Sequence, residues 1–90
     1  MPTIDVLYFS APWCAPCKRL APVMDKLAHE FPAITFKKIN VDDEREAVEQ
    51  HQIRGVPTLV VLRDGAKVDT IVGPESESEL RATFTAFVES

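Results

Sequence analysis

Apolar residues along the chain alternate between short continuous runs and stripes of helical spacing. Val6-Leu7-Tyr8-Phe9, approached from Ile4 and closed by Ser10-Ala11-Pro12, form one such run, the pattern of a central strand buried on both faces. From Cys17 onward Leu20, Met24, Leu27 and Phe31, with Ala21 and Ala28, recur three and four residues apart until Pro32. This spacing predicts a helix that lays one apolar stripe on a sheet. Ile34, Phe36, Ile39 and Val41 mark a second strand, in which the slip in alternation between Phe36 and Ile39 leaves the register open. Asp43 followed by Glu46 has the form of a capping box for a short helix reaching about His51. Thr58 to Leu62 and Lys67 to Val72 are apolar, β-branched runs joined by Arg63-Asp64-Gly65-Ala66, whose Asp-Gly pair predicts an antiparallel hairpin. Gly73-Pro74 ends the hairpin, and Ser76-Glu77-Ser78-Glu79 is a capping box for a last helix expected to bury Leu80, Phe84, Phe87 and Val88.

The order β-α-β-α-β-β-α predicts an α/β fold: a four-stranded mixed sheet flanked by three helices, parallel in its first βαβ unit and antiparallel in its hairpin, with helices on both faces. At 90 residues and 46% hydrophobic, the chain suits one compact domain spanning 1–90 and is too short for two. A single site is therefore expected. The net charge of -4, with only the short basic doublets Lys18-Arg19 and Lys37-Lys38, argues against nucleic acid as a partner. No stretch approaches the roughly 20 apolar residues of a membrane span, and Met1-Pro2-Thr3 is no start for a secretory leader. The expectation is a cytoplasmic protein with no membrane partner.

Candidate chemistry centres on the chain's two cysteines, Cys14 and Cys17. A bridge between them closes a four-residue loop, worth only about 2 kcal/mol of chain entropy against roughly 3 for a fifteen-residue loop, so stability is a poor reason to form it. In a reducing compartment such a bridge is transient. Their place between a buried strand and a helix start has a physical logic, because free helix N-H groups and the dipole favour a thiolate in the first turn. Cys14 is then the natural nucleophile, and Cys17, three residues on, is within reach to resolve a mixed disulfide. Pro16 suits a first-turn position, where no N-H is needed, whereas Pro22 inside the helix removes the bond to the Lys18 carbonyl and predicts a kink between an exposed active end and a buried body. Lys18 either adds positive potential beside the thiolate or is an ordinary solvated lysine.

Cys-x-x-Cys also opens many zinc sites. Here His29 lies on the same predicted helix, about 18 Å along its axis from Cys17 at roughly 1.5 Å per residue, and His51 alone leaves the coordination incomplete. No metal is expected in a monomer, although a cluster bridged between two chains stays open. The acidic run Asp42-Asp43-Glu44 reads as a solvated helix start.

With strand order and cysteine turn in place, the chain resembles the thioredoxin family over almost its full length. Trp13-Cys14-Ala15-Pro16-Cys17-Lys18 is similar to the family's active-site motif with alanine at the usual glycine. Pro22 matches its helix-kinking proline, Ile53-Arg54-Gly55-Val56-Pro57-Thr58 its cis-proline segment, and Gly73 a glycine of the same surface. The resemblance implies a protein-disulfide reductase in which Cys14 attacks a substrate disulfide and Cys17 resolves the mixed disulfide. It also implies a substrate-binding surface of Trp13, Val56, Pro57 and Gly73, with Val56 free to hydrogen-bond an extended substrate by β-augmentation. No bound cofactor is implied beyond the redox-active Cys14-Cys17 disulfide, since NADPH would act only through a separate thioredoxin-reductase-like donor. The partners implied are disulfide-containing proteins, and the state a monomer.

The chain departs from the family pattern in lacking the N-terminal β-α extension, in carrying Tyr8 where a buried aspartate is usual, and in carrying Ser10 at the usual tryptophan. A phenol, with its ordinary pKa near 10, is a poor base at neutral pH, which leaves proton transfer at Cys17 to water or to Lys38. Ser10 loosens one wall of the site. Two further readings remain: a glutathione-coupled, glutaredoxin-like carrier, suggested by the small size, and a docking module that uses the Trp13, Val56 and Gly73 surface without thiol turnover.

Overall fold

The computed structural model describes residues 2–74 and 76–89. Its elements follow the predicted order: β1 (Ile4–Ser10), α1 (Ala15–Glu30), β2 (Ile34–Asn40), α2 (Arg45–Gln50), β3 (Thr58–Arg63), β4 (Ala66–Val72) and α3 (Glu77–Glu89). The strands form one mixed sheet in the order β2-β1-β3-β4. β1 runs parallel to β2 and antiparallel to β3, and β3 is antiparallel to β4. β1 is a continuous apolar run because it is interior to the sheet and covered on both sides. Val6 and Tyr8 join Leu20, Met24, Leu27, Leu80 and Phe84 in the core beneath α1 and α3. Leu7 and Phe9 face the other way, towards Ala47 and Val48 of α2.

The same two-faced cover explains the slip in β2. Pairing of Tyr8 with Lys38 and Phe9 with Ile39 is unbroken, so no register shift occurs. Instead Ile34 and Phe36 belong to the α1/α3 core while Ile39 belongs to the α2 core. The strand changes its apolar face along its length. β4, an edge strand, is largely exposed, including Val68 and Val72. The hairpin turns through Asp64 and Gly65 at φ 50° and 85°, the pair of positive values that a two-residue type I′ turn requires. Asp64 also holds the N-terminal segment, its N-H donating to the Thr3 carbonyl and its Oδ1 accepting from the Thr3 N-H, each at 2.8 Å.

Two expectations at helix ends are corrected. α2 is not opened by an Asp43–Glu46 capping box: its N-cap is Glu44, with no side-chain cap bond. The preceding turn is built on Asn40 instead, whose carbonyl accepts from the Asp43 and Glu44 N-H groups and whose side chain accepts from Asp42. At the other end of the chain α3 buries Leu80 and Phe84, but Phe87 is only partly buried and Val88 is exposed. The final turn runs past the edge of the core. The Ser76 hydroxyl does accept from the Glu79 N-H at 3.1 Å, as a helix start of this kind should. α3 is tied to α1 by Arg81, which holds Glu30 with two bonds of 2.7 Å and Glu77 with one, and by Lys26 on Glu77 at 2.9 Å.

Candidate active site

β1 delivers the chain to one end of the sheet, where Ala11 begins a turn closed by the Cys14 N-H on the Ala11 carbonyl at 3.1 Å. Pro12 occupies the second position of that turn, where its fixed φ fits. Cys14 follows as the N-cap of α1 in extended conformation, and its sulfur accepts the Cys17 N-H at 3.2 Å. Pro16, in the first turn, leaves no N-H to satisfy. Cys14 and Cys17 are joined by a disulfide, their Cα atoms 5.2 Å apart. The backbone that brings the two sulfurs together therefore also aims a helix N-H at Cys14, an arrangement that favours a sulfur anion there.

The site is less open than the kinked helix suggested. Cys14 is 4% and Cys17 3% exposed, packed with Ala11 and against Val41 and Val56, while Ala15 and Pro16 lie at the surface. Pro22 does sit within α1, which continues through it. Trp13 is 68% exposed. Its Nε1 donates to Asp42 Oδ2 at 3.0 Å, which fixes the indole beside Cys14. That role of Asp42 is not legible along the chain beyond the acidic run, because the partners are 29 positions apart.

Opposite the cysteines, the Val56–Pro57 peptide bond is cis. The Val56 carbonyl lies 3.7 Å from Cys14 Sγ. This loop is held by the Thr58 hydroxyl on the Gly55 carbonyl at 2.7 Å and by the Gly73 N-H on the Pro57 carbonyl at 2.9 Å. Gly73 adopts φ 58°, a left-handed conformation that glycine accepts without strain. Trp13, Val56, Pro57 and Gly73, separated by up to 60 positions, thus gather around Cys14. Two grooves flank them, one of about 240 Å³ between Trp13, Ile53 and Val56 and one of about 330 Å³ between Pro16, Pro57 and Gly73.

Behind Cys17, Tyr8 is buried and its hydroxyl donates to the Cys17 carbonyl at 3.0 Å. Burial, and then the Asp25 carboxylate, raise its pKa above the ordinary value of 10.0. Lys18 and Lys38, both exposed at the residue level, line a cavity of about 220 Å³ shared with Tyr8, Ser10 and Cys17. The two histidines have other surroundings: His29 meets the Asp25 carbonyl at 2.9 Å, and His51 packs edge-on against Phe9. Among the described residues no group of three or more His, Cys, Asp or Glu side chains is placed to hold a metal ion.

The family model described as Thioredoxin matches residues 3–86. The chain belongs to the thioredoxin family. It is 38% identical over 81 residues to the thioredoxin of Porphyra purpurea, covering 89% of this chain and 76% of that one. It is 40% identical over 76 residues to thioredoxin 1 of Synechococcus elongatus, covering 83% and 71% respectively. Among solved structures, that of thioredoxin from Trypanosoma brucei brucei superposes with a TM-score of 0.89 at 30% identity, over 97% of this chain and 76% of that one. Fasciola hepatica thioredoxin gives 0.85 at 37%, over 92% and 79%. The four-stranded sheet and three helices are thus a thioredoxin fold. Family and cysteine pair together make this thioredoxin-family chain a dithiol-disulfide oxidoreductase, a protein-disulfide reductase whose redox-active disulfide is Cys14–Cys17. Among its described residues no helix is long and apolar enough to cross a membrane.

Proposed function

We propose that the reduced protein opens substrate disulfides with Cys14 as nucleophile and Cys17 as resolving thiol. The observation that carries this assignment is the place of Cys14 at the helix cap, with the Cys17 N-H donating to its sulfur at 3.2 Å. That donor and the helix dipole stabilise charge on Cys14 Sγ, whereas Cys17 sits one turn deeper with its carbonyl bonded to Tyr8. In the first step Cys14 thiolate attacks one sulfur of the substrate bridge, a Cys14–substrate bond forms, and the other substrate sulfur leaves as a thiolate. In the second, Cys17 thiolate attacks Cys14 Sγ, the Cys14–Cys17 bond forms, and the remaining substrate sulfur departs with the electron pair.

The substrate lies as an extended segment over Trp13, Val56, Pro57 and Gly73, its backbone reaching the Val56 peptide by β-augmentation. Pro16 holds the turn, Lys18 and Lys38 keep the local potential positive, and Tyr8 holds Cys17 in place. Disulfide-containing proteins are the substrates, and a thioredoxin-reductase-like partner drawing on NADPH restores the dithiol. The protein works as a monomer of one domain in the cytoplasm, in electron transport and redox homeostasis.

The test is reduction of insulin disulfides driven by dithiothreitol, comparing native protein with Cys14→Ser. Acceleration by the native protein that disappears in the variant supports the assignment. Equal rates in the two proteins refute it and turn attention to a glutathione-linked or docking role.

A further inference from the structure

The cavity behind the disulfide contains a polar group that the exchange steps above do not use. Ser10, the last residue of β1, is only 3% exposed and lines this space of about 220 Å³ together with Cys17. Its side chain makes no hydrogen bond with any described residue. Ser10 Oγ is not among the fully enclosed polar atoms left without a partner, so it opens onto this space, where at about 30 Å³ per molecule there is room for water to bond with it.

The other polar side chains around the cavity are already hydrogen-bonded or are donors alone. Those that titrate or carry charge are Tyr8 from β1, Cys17 and Lys18 from α1, and Lys38 from β2. No carboxylate lines it among the described residues. Tyr8 already donates to the Cys17 carbonyl, and its raised pKa keeps it a neutral donor. Lysine ammonium groups donate and do not accept. Asn40 Oδ1 already accepts from the Asp42 N-H at 2.9 Å. Ser10 is the lining hydroxyl with neither its proton nor its lone pairs engaged by a described residue, so it can take one proton while passing on another.

We propose that Ser10, with water in this cavity, is the proton route of Cys17 in the resolving step. The inference rests on the assignment of Cys17 as resolving thiol. The proton leaves Cys17 Sγ through cavity water and the Ser10 hydroxyl to solvent. The thiolate so formed attacks Cys14 Sγ, the Cys14–substrate bond breaks, and the departing substrate thiolate takes a proton from solvent. Protons and electrons balance without a further reactant.

The test uses a chromogenic aromatic disulfide and stopped flow, which separates two releases of coloured thiolate: one on attack by Cys14 and one on resolution by Cys17. Ser10→Ala removes the hydroxyl, and Ser10→Leu also fills the space. Proton-transfer groups contribute about 10²–10⁴-fold, and water takes over part of that in the alanine variant. The second release is therefore expected to slow about tenfold in Ser10→Ala and about a hundredfold in Ser10→Leu between pH 6 and 8, with a solvent deuterium effect on that step in the native protein. The first release should stay within about twofold, a separation that a general loosening of the site would not produce. A native second release in Ser10→Ala overturns the role of Ser10, as does equal slowing of both releases. Absence of the first release in the native protein would mean that Cys14 is not the nucleophile, and the proton route would fall with that assignment.

Discussion

Phe84 anchors α3, and its replacement by alanine tests the core most directly. The ring is fully buried and meets Phe31 and Phe36 edge-on, at centroid distances of 5.9 and 5.5 Å. Truncating a buried aromatic costs about 3–5 kcal/mol, and edge contacts, each worth about 0.5–1.5 kcal/mol beyond burial, keep Phe84→Ala from falling below the middle of that range. A chain of 90 residues has a total stability of about 5–14 kcal/mol at roughly 0.05–0.15 per residue. A loss of about 4 kcal/mol therefore removes between a quarter and most of it, and lowers Tm by about 15–30 °C at roughly 4–8 °C per kcal/mol. Urea denaturation followed by far-ultraviolet circular dichroism, together with a thermal melt, measures both quantities. Below its melting temperature the variant should still reduce insulin, because Phe84 and the cysteines belong to different clusters. A loss under about 2 kcal/mol would refute the reasoning, since it would mean that the space left by the ring is refilled or that α3 is not an integral part of the fold.

Three further outcomes follow from single contacts. Tyr8→Phe removes the buried bond to the Cys17 carbonyl and should cost about 0.5–1.5 kcal/mol. Because the Tyr8 pKa is raised in the fold, its contribution is present below pH 10 and lost as pH rises through the folded value, so the variant should also have a flatter alkaline limb. An unchanged Tm across pH would show that the bond adds nothing net. Hydrogen bonds from Arg81 hold Glu30 and Glu77 below the ordinary 4.5, with Lys26 adding to both. Depressed carboxylates stabilise above their unfolded pKa and lose that stabilisation as pH falls through the folded one. Arg81→Gln should thus lower Tm at pH 7 and flatten the decline below about pH 4.5, whereas acid limbs parallel to the native one would exclude the network as a source of stability. Asp42→Ala frees the Trp13 indole. One hydrogen bond of about 1 kcal/mol corresponds to about fivefold, expected in KM for a protein substrate with kcat nearly unchanged, and an unaltered KM would remove ring orientation from substrate binding.

Local pattern was enough to read the element order from the sequence. β1 shows itself as a continuous apolar run, α1 as a stripe through Leu20, Met24 and Leu27, the hairpin as Asp64-Gly65, and the start of α3 as Ser76 with Glu79. Each signal involves residues a few positions apart, where backbone geometry relates one residue to the next. The cysteine turn is legible for the same reason, because Cys14, Pro16 and Cys17 share one helix start. Val56, Pro57 and Gly73 could be placed near it only through resemblance to a family, since nothing in the local pattern of Ile53 to Thr58 says which part of the chain lies opposite.

What tertiary packing alone decided lies where distant segments meet or where an element ends. The faces of β2 depend on which helix covers each part of the strand, so Phe36 and Ile39 point to different cores without any slip in register. The turn before α2 is built on Asn40 rather than capped by Asp43, because the chain leaving β2 folds the Asp42, Asp43 and Glu44 N-H groups back onto the Asn40 side chain and carbonyl. Val88 fits the stripe of α3 yet is exposed, because periodicity specifies a face and not the length of core available to cover it. The bond from Trp13 to Asp42 and the meeting of Ser10 and Cys17 on one cavity arise from the closeness of strand ends and helix starts. Hydrophobic spacing along a chain carries no record of that closeness, which is fixed only when the sheet and its helices close on a common core.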